Sequence, residues 1–439
     1  MKKEYIADCL ARYAKENGVR AHMPGHKGNG EGILNSVYKY DITELSFSDN
    51  LANPEGVIML AEKDIATLCG AKRSRILTGG STLGVLSALY AVKNKGSKII
   101  IQRGSHKSVF NALELFGVEP IFLNEKMQNG LFTGEFLNDE LFDISDNSVI
   151  GALLTSPDYF GRALDLKNIS KRLKVNDKLL LVDGAHGAHF AFEKSELYAG
   201  RYADVWVDGA HKTLSTLTQG AILHVNNEEL LEGVNEALGI FSTSSPSYLV
   251  MASVESGVKR YSQIKSEKES NFSRAKQAFI SSAKGFGFSI LPTDDPLKVT
   301  LLCEGCGLQI GSVLEQAGIY AELVADNAIL FMLSYSFSAG DAFKIVKTLN
   351  DAALLKKEKS FNQLLPKKAM DYVYARKQNH EKVLLKDAIG RVCAENAGLF
   401  PPCYPVIIAG EIYSNEVINA LSGKNTFGVD NGFVKVVKE

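Results

Sequence analysis

Through the first half of the chain, short apolar runs rich in β-branched residues alternate with segments of helical periodicity. Strands covered on both faces of a sheet are continuously apolar, so these runs are typical of buried parallel strands. The predicted strands are 75–78, 98–102, 120–123, 149–155, 178–182, 204–207 and 221–225. The predicted helices between them include 82–93, 107–115 and 166–173. This alternation predicts an α/β fold with an open, mostly parallel sheet.

The pattern changes past residue 245, where long helical stretches near 247–283 and 339–357 flank short predicted strands near 298–302 and 329–333. A chain of 439 residues is long enough for two or three domains. We therefore predict an amino-terminal segment over 1–50, a large α/β domain over 51–265 and a smaller α+β domain over 266–439. A further division of the last domain near 360–384 stays open.

Composition excludes several classes of protein. The chain has 49 basic and 50 acidic side chains and a net charge of -1, which argues against nucleic-acid binding. No uncharged apolar run approaches the roughly 18 residues of a membrane-spanning helix. The opening MKKEYIADCL has no apolar core of a signal peptide, so we expect a cytoplasmic protein. Cys303 and Cys306 form a CxxC without a second pair, so we expect reduced, buried thiols and no metal site.

Polar residues follow several predicted strands where each strand ends. GGSTLG, with Gly80, Ser81 and Thr82, comes after the first strand, and RGSHKS, with His106, comes after the second. DGAHGAH, with Asp183, Ala185 and His186, follows another strand, and VDGAHKTL, with His211 and Lys212, follows the next. Ligands of open α/β sheets bind beyond the carboxyl ends of strands, so these segments are expected to converge.

Each segment alone has an ordinary structural explanation. Ser81 and Thr82 are suited to begin a helix, His106 to cap one, and a single lysine after a strand is usually solvated. Together they match the needs of pyridoxal phosphate. Glycines and hydroxyls at a helix start suit a phosphate, and a lysine amine forms a Schiff base with an aldehyde. A buried aspartate such as Asp183 keeps the pyridine nitrogen protonated, and the small Ala185 leaves room beside the ring.

The sequence resembles the prokaryotic ornithine/lysine/arginine decarboxylases, pyridoxal-phosphate enzymes of the aspartate-aminotransferase fold (fold type I). The resemblance covers nearly the whole chain, and its motifs occur in the family's order. They are HMPGHKG (22–28), DITEL (41–45), GGST (79–82), SHKS (105–108), TSPDYFG (155–161), VDGAHGAH (182–189), AHKTLSTLTQ (210–219), TSSPSYLVMAS (243–253) and FPPCYPVIIAGE (400–411).

The resemblance implies a role for each matching residue. Lys212 would be the Schiff-base lysine, with His211 active in proton transfer, and Asp183 would pair with the pyridine nitrogen. His106 would stack on the ring. The other expected cofactor contacts come from Gly80, Ser81, Thr82, Ala185 and His186, which lie in the matching motifs.

The resemblance also implies a homodimer with shared active sites. Ser244 would reach the phosphate of the other subunit, and residues 1–50 would contribute to the dimer and the active site. The large domain over 51–265 would bind the cofactor. Glu411 aligns with an acid of the family's substrate pocket, where it would meet the distal cation of a basic amino acid.

Four positions depart from the family's pattern. Gly209 stands where serine usually contacts the phosphate, and Asp158 stands where threonine is common. Cys403 replaces a usual glycine, and Ala409 replaces a usual proline. With Gly209, either one phosphate ligand is missing or backbone N–H groups take its place. The departures bear on substrate identity and cofactor affinity more than on the type of reaction.

The expected reaction is α-decarboxylation of arginine, lysine or ornithine to an amine of polyamine metabolism. The sequence leaves open which of the three is the substrate. Two alternatives stay open as well. The same lysine, aspartate and histidine serve aminotransferases and C–S or β-elimination lyases, since the reaction depends on which bond stands perpendicular to the ring. Gly209 and Cys403 also fit a non-catalytic relative that only binds the cofactor.

Overall fold

The computed structural model describes residues 4–16, 18–123, 125–128, 131–136, 144–193, 196–264, 266–303, 305–352, 365–400 and 404–438. Cys403, one of the four departures from the family pattern, lies outside these residues. The chain divides into two compact units. The first comprises Met1–Ser97, Ile144–Ser156 and Asp165–Gln263, and the second comprises Lys98–Asp143, Pro157–Leu164 and Ile264–Glu439.

The strands in chain order are β1 (Arg73–Leu77), β2 (Lys98–Gln102), β3 (Glu119–Leu123), β4 (Glu125–Gln128), β5 (Leu131–Phe136), β6 (Val149–Thr155), β7 (Leu179–Gly184), β8 (Val205–Asp208), β9 (Ala221–Val225), β10 (Ser289–Ile290), β11 (Lys298–Leu302), β12 (Leu323–Ala325), β13 (Ala328–Met332), β14 (His380–Leu384), β15 (Ala397–Leu399), β16 (Pro405–Ile407), β17 (Thr426–Phe427) and β18 (Phe433–Val437).

The α-helices are α1 (Ile6–Tyr13), α2 (Asn35–Tyr38), α3 (Val57–Cys69), α4 (Gly80–Val92), α5 (Lys107–Phe116), α6 (Leu166–Val175), α7 (Ala210–Thr213), α8 (Leu231–Phe241), α9 (Tyr248–Tyr261), α10 (Ser266–Gly285), α11 (Gly307–Gln316), α12 (Ala339–Ala352), α13 (Tyr372–Lys377) and α14 (Asn415–Leu421). Short 3₁₀ helices cover Gly32–Leu34, Ala188–Ala191, Ala199–Arg201, Glu228–Leu230 and Leu385–Asp387.

In the first unit, five strands lie side by side in the order β1-β9-β8-β7-β6. β6, β7 and β8 are parallel, so their carboxyl ends meet at one edge of the sheet. β9 runs antiparallel to β8 and to β1. All residues of β8 and β9 are buried, and only the first residue of β7 is partly exposed, as expected for strands covered on both faces.

Helices cover this sheet with apolar residues. α4 packs against β8 and β9, and its Gly84 lies so close to Val207 that a Cβ at position 84 would come within 2.7 Å of that side chain. Only glycine at position 84 allows this close approach of helix to strand.

The second unit contains the parallel pair β2–β3, the hairpin β4–β5 and an antiparallel sheet with the order β10-β11-β13-β12. α10, α11 and α12 form an apolar core with this antiparallel sheet, and the core includes Phe279, Phe331 and Leu349. Two small sheets, β14–β18 and β16-β15-β17, surround a further core near the carboxyl end.

Cys303 and Cys306 are 2% and 1% exposed and belong to the core around α10, α11 and α12. No group of three or more His, Cys, Asp or Glu within the described ranges is arranged to hold a metal ion. Among the helices of those same ranges, none is long and apolar enough to cross a membrane.

The predicted α/β class is confirmed, and three predicted strands, 98–102, 149–155 and 221–225, have the observed bounds. The other strands of the first half differ by one or two residues at their ends. The features that were not predicted include the antiparallel pairing of β9 on both of its sides. They also include the division of the expected long helix into α9, which ends at Tyr261, and α10, which begins at Ser266.

Candidate active site

Lys212 lies in a one-turn helix that begins directly after a buried strand. β8 ends at Asp208, Gly209 forms the turn, and α7 covers Ala210–Thr213. The Lys212 side chain is half-buried, and its Nζ lies 3.0 Å from Nε2 of His186. An ammonium group at Lys212 would donate this hydrogen bond to Nε2 of a neutral His186 ring, because an ammonium group has no acceptor.

Asp183 belongs to the same site through the neighbouring strand. It lies near the end of β7, opposite Thr155 of β6 and Val207 of β8. The side chain is 4% exposed, and burial raises the pKa of Asp183, while the charge of Lys212 and the N–H of Ala185 act in the opposite direction. The positive charge of Lys212 favours the charged form of Asp183, so the two side chains belong to one electrostatic environment.

Gly209, Ser81 and Ala185 form a tight cradle next to Lys212. A Cβ built on Gly209 would lie 2.3 Å from the Ala185 carbonyl oxygen and 3.0 Å from Ser81 Oγ. Ser81 Oγ is buried and has no hydrogen-bond partner among the residues that the structure describes. A buried hydroxyl group without a partner among the described residues suits an anionic oxygen.

The helix start adds to this cradle. Ser81 and Thr82 are the second and third residues of α4, and Gly80 adopts the left-handed conformation with φ 70°. The first N–H groups of a helix lack partners within the helix and attract anions. The arrangement fits the phosphate group of pyridoxal phosphate, and Lys212 and Asp183 fit its aldehyde and its ring nitrogen.

His211, the neighbour of Lys212, is directed elsewhere. Its Nδ1 donates to the carbonyl oxygen of Gly220 at 2.9 Å. Burial lowers the pKa of His211, the hydrogen bond to Gly220 raises it, and the charge of Lys212 lowers it further. The imidazole is therefore held neutral by its surroundings, and the ring that contacts Lys212 is that of His186.

A buried polar network fixes the end of β8, just before the Lys212 turn. Asp208 Oδ2 accepts a hydrogen bond from Tyr198 OH at 2.8 Å and lies 3.2 Å from His224 Nε2. His224 Nδ1 contacts Ser74 Oγ at 2.7 Å, and its ring stacks on Trp206 with 4.6 Å between centroids. The sequence did not predict this network. Asp208 precedes Gly209 and could have been noticed, but only the fold shows that Ser74 on β1 lies directly opposite His224 on β9.

Ser244 lies in the loop between α8 and α9 and is exposed, as is Thr82 at the start of α4. An exposed Ser244 is compatible with a contact to a second subunit. That role stays a prediction.

His106 lies in the second unit and caps α5. Its side chain accepts a hydrogen bond from the N–H of Ser108, and its Nδ1 lies 2.9 Å from Ser108 Oγ. The predicted stacking of His106 on a cofactor ring stays a prediction.

Glu411, also in the second unit, is bound by an arginine. Arg103 Nη1 contacts Glu411 Oε1, Nη2 donates to Oε2 at 2.8 Å, and the N–H of Ile408 donates to the same oxygen at 3.0 Å. The two side chains are 5% and 7% exposed. A contact between Glu411 and a substrate cation stays a prediction, and Arg103 would have to release the carboxylate for it.

Two of the departures from the family pattern have a local explanation. Asp158 Oδ1 accepts hydrogen bonds from the N–H groups of Phe160 and Arg162, so this carboxylate stabilises the turn that follows β6. The N–H of Ala409 donates to Asn396 Oδ1 at 2.9 Å. Proline at position 409 has no N–H and would lose this bond.

The comparisons with solved structures agree on the fold. The constitutive lysine decarboxylase of E. coli superimposes with a TM-score of 0.81 at 20% identity, covering 99% of this chain and 82% of that one. A serine palmitoyltransferase with a bound pyridoxal-phosphate adduct superimposes with a TM-score of 0.58 over 80% of this chain and 83% of that one, at 15% identity. These likenesses support the fold class of the pyridoxal-phosphate enzymes of fold type I.

Sequence comparisons connect the chain to a family. The arginine decarboxylase of Bacillus subtilis is 31% identical over 93% of this chain and 91% of its own length. A second B. subtilis protein, named uncharacterized protein YaaO, is 31% identical over 94% of this chain and 92% of its own length. The model of the Orn/Lys/Arg decarboxylase major domain matches residues 6–278. Lys212, Asp183 and Ser81 all lie within those matched residues. The chain belongs to the family of ornithine/lysine/arginine decarboxylases.

Proposed function

We propose that this protein removes the α-carboxyl group of arginine with pyridoxal phosphate as its cofactor, and that Lys212 bonds the cofactor. The family carries out pyridoxal-phosphate-dependent decarboxylation of basic amino acids, and this chain is such a carboxy-lyase. The observation that supports the residue assignment is the half-buried Lys212 amine, 3.0 Å from His186 and within the electrostatic influence of Asp183.

Residues of the first unit would hold the cofactor. Ser81 Oγ, the N–H groups at the start of α4 and Gly80 would bind the phosphate, and Ala185 would lie beside the ring. The Asp183 carboxylate would face the ring nitrogen and keep it protonated. Burial raises the pKa of Asp183, and a cationic ring nitrogen next to it would favour the charged carboxylate again.

When bound, the cofactor accepts the electron pair that the departing carboxyl group leaves behind. The roles of the chain's own residues are to hold the ring in place and to supply a proton. Asp183 maintains the positive ring nitrogen, and Lys212, released when the substrate amine replaces it, is available to donate a proton to the substrate's α-carbon. In this proposal His106 packs on the ring and restricts its movement.

Arginine is the first candidate because of the named relatives. Four arginine decarboxylases of Bacillus and Halalkalibacterium match at 26–31% identity over 93–98% of this chain. Three lysine decarboxylases of Escherichia coli and Hafnia alvei match at 22–24% identity and over 59–75% of their own lengths. The product would be the corresponding amine, which enters polyamine metabolism, and the proposal keeps the expected cytoplasmic location.

The proposal includes a homodimer with shared active sites. Four large apolar side chains between residues 19 and 34 are strongly exposed: Val19 (95%), Met23 (60%), Ile33 (96%) and Leu34 (51%). A second copy of the chain would cover such residues, and Ser244 is exposed on the same unit. Sedimentation would give the oligomeric state. Mixing inactive Lys212→Ala and Ser244→Ala subunits should then restore activity if each active site draws on both chains.

The function is tested with pyridoxal phosphate and carboxyl-labelled arginine, lysine or ornithine, by measuring released carbon dioxide. Arginine should give the highest kcat/KM, and Lys212→Ala should lower it by roughly a thousandfold or more, about 4 kcal/mol of barrier. Lys167→Ala, at an exposed lysine of α6, is the matched control and should leave the rate unchanged. Formation of a keto acid in place of an amine would contradict the proposal and indicate transamination.

A further inference from the structure

His186 is the side chain that directly contacts the Lys212 amine. The separation of 3.0 Å between Nζ and Nε2 is that of a hydrogen bond, and it joins the ends of two adjacent parallel strands, β7 and β8. His186 is 6% exposed and lies two residues after Gly184, the last residue of β7. The imidazole is therefore held in place with its acceptor nitrogen directed at the amine.

The other titratable groups around Lys212 are less suited to accept its proton. Burial raises the pKa of Asp183, but the ring nitrogen of the cofactor is the partner proposed for that carboxylate. His211 uses Nδ1 to donate to the Gly220 carbonyl oxygen, so this nitrogen already has a partner. Proton transfer by His211, predicted from sequence, therefore has less geometric support than transfer by His186.

We propose that His186 is the general base for Lys212, and that it takes the protons which Nζ loses as this nitrogen bonds the cofactor aldehyde. The inference rests on the proposed function. It adds a catalytic role in cofactor loading to a residue that the sequence marked only as a cofactor contact.

The proton count shows why a base is needed. An ordinary lysine amine holds its proton about four pH units more tightly than an imidazole, so the count starts from an ammonium group with three hydrogens at Nζ. When Nζ forms a double bond to the aldehyde carbon, the C–O bond breaks and the oxygen leaves as water. Nζ keeps one hydrogen, and the other two leave with the oxygen. His186 Nε2 accepts each of these two protons from Nζ and passes it to the oxygen.

A general base changes rates and leaves the equilibrium unchanged, which separates this role from a structural one. Glutamine at position 186 keeps a hydrogen-bond acceptor but cannot take a proton at neutral pH. His186→Gln should slow formation of the Lys212–cofactor bond at least tenfold. A general base typically contributes a factor of about 100 to 10,000 to a rate. The variant should slow release of the cofactor by the same factor and leave the dissociation constant within about threefold of wild type, because a catalyst acts equally in both directions.

The experiment follows the visible absorption of the lysine-bound cofactor after mixing cofactor-free protein with pyridoxal phosphate. Release is followed in the presence of a phosphatase that destroys freed cofactor. His380→Gln is the control, since this histidine is exposed on β14 and has no role in the proposed site. Its loading rate should stay within twofold of wild type. Imidazole in the buffer should restore loading to His186→Ala, and circular dichroism would verify that each variant is folded.

Four outcomes separate the inference from the proposed function. Equal loading rates for wild type and His186→Gln would overturn the inference and leave the function standing. A lower affinity with an unchanged release rate, or slow loading in His211→Gln alone, would also overturn it. If the folded wild-type protein formed no bond with pyridoxal phosphate at Lys212, the proposed function would be wrong, and the inference would fall with it.

Discussion

Arg103 donates hydrogen bonds to both carboxylate oxygens of Glu411. This pair joins the residue after β2 to a segment 308 residues further along the chain. The Glu411 carboxylate also accepts the N–H of Ile408, and Arg103 Nη2 donates to the Val406 carbonyl oxygen at 3.2 Å. A bidentate pair that is almost fully buried holds these segments within the second unit in one geometry.

Removing one partner of this pair should be strongly destabilising. Arg103→Met leaves the Glu411 carboxylate buried without its cation, and breaking a buried pair in this way costs about 3–5 kcal/mol. Lys382→Met breaks the exposed pair with Asp430, whose side chains are 54% and 69% exposed, and should cost less than about 1 kcal/mol. Urea unfolding of both variants measures the difference. Similar losses in the two variants would contradict the prediction.

Gly209 should not tolerate the serine that is usual in the family. The added Cβ would come within 2.3 Å of the Ala185 carbonyl oxygen, which belongs to the backbone and cannot turn away. Gly209→Ser should therefore weaken pyridoxal-phosphate binding by about tenfold or more, because each 1.4 kcal/mol of strain in the cradle costs a factor of ten. Titration of the visible absorption measures the affinity.

The control for that experiment is Gly239→Ala on α8. A Cβ at position 239 meets nothing within 4 Å among the described residues. Alanine in a helix is more favourable than glycine by up to about 1 kcal/mol, so this variant should bind the cofactor normally and be slightly more stable. Tighter cofactor binding by Gly209→Ser would show that the missing hydroxyl group matters more than the contact.

Glu62 should make the stability of the protein depend on pH. Burial raises its pKa from 4.5 to about 7, although Arg75 and the N–H of Ile76 favour the charged form. The folded state thus prefers the neutral acid. The stability from this group is fully present below pH 4.5 and is lost as the pH rises through about 7.

Glu62→Gln removes this titration. The free energy of unfolding of the variant, relative to wild type, should increase between pH 5 and pH 8 by at most about 3 kcal/mol. Glu228→Gln is the control, because Glu228 pairs with Arg73 at the surface, where the side chains are 50% and 57% exposed. Parallel stability curves for Glu62→Gln and wild type would show that this carboxyl group titrates alike in both states.

Ala409 should resist replacement by the proline that is usual in the family. Its buried N–H donates to Asn396 Oδ1, and losing a hydrogen bond at such a partly buried position costs about 1 kcal/mol or somewhat more. Ala409→Pro should lower the free energy of unfolding by about that amount. Ala409→Gly keeps the N–H and should lose less. Equal stability of Ala409→Pro and wild type in urea would count against this explanation.

The sequence predicted the strands that carry the site, because continuous apolar runs and the polar residues after them are local features. It brought Asp183, Ser81 and Lys212 to one edge for the same reason: strand ends in a parallel sheet meet. The direction in which each side chain points could not be predicted from the sequence. His211 and His186 were both in motifs, and only the fold shows that the ring of His186 contacts the amine.

Long-range partners were also beyond the sequence. Arg103 and Glu411 are 308 residues apart, and Ser74 and His224 are 150 residues apart. Neither pair has a local pattern, since each depends on which segments the fold brings together. The resemblance assigned Glu411 to a substrate pocket, and it contained no information that an arginine of the same chain would bind the carboxylate.

The contact between Gly209 and the Ala185 carbonyl oxygen limits the routes by which this protein can change. A mutation to serine at position 209 would arrive in a chain whose neighbouring loop has closed over that space. Serine at position 209 is then harmful unless the Ala185 backbone moves first. The effect of a substitution at position 209 should therefore depend on the segment around position 185. Single-residue exchanges between relatives would overstate the damage, whereas exchanging both segments together would preserve the contact.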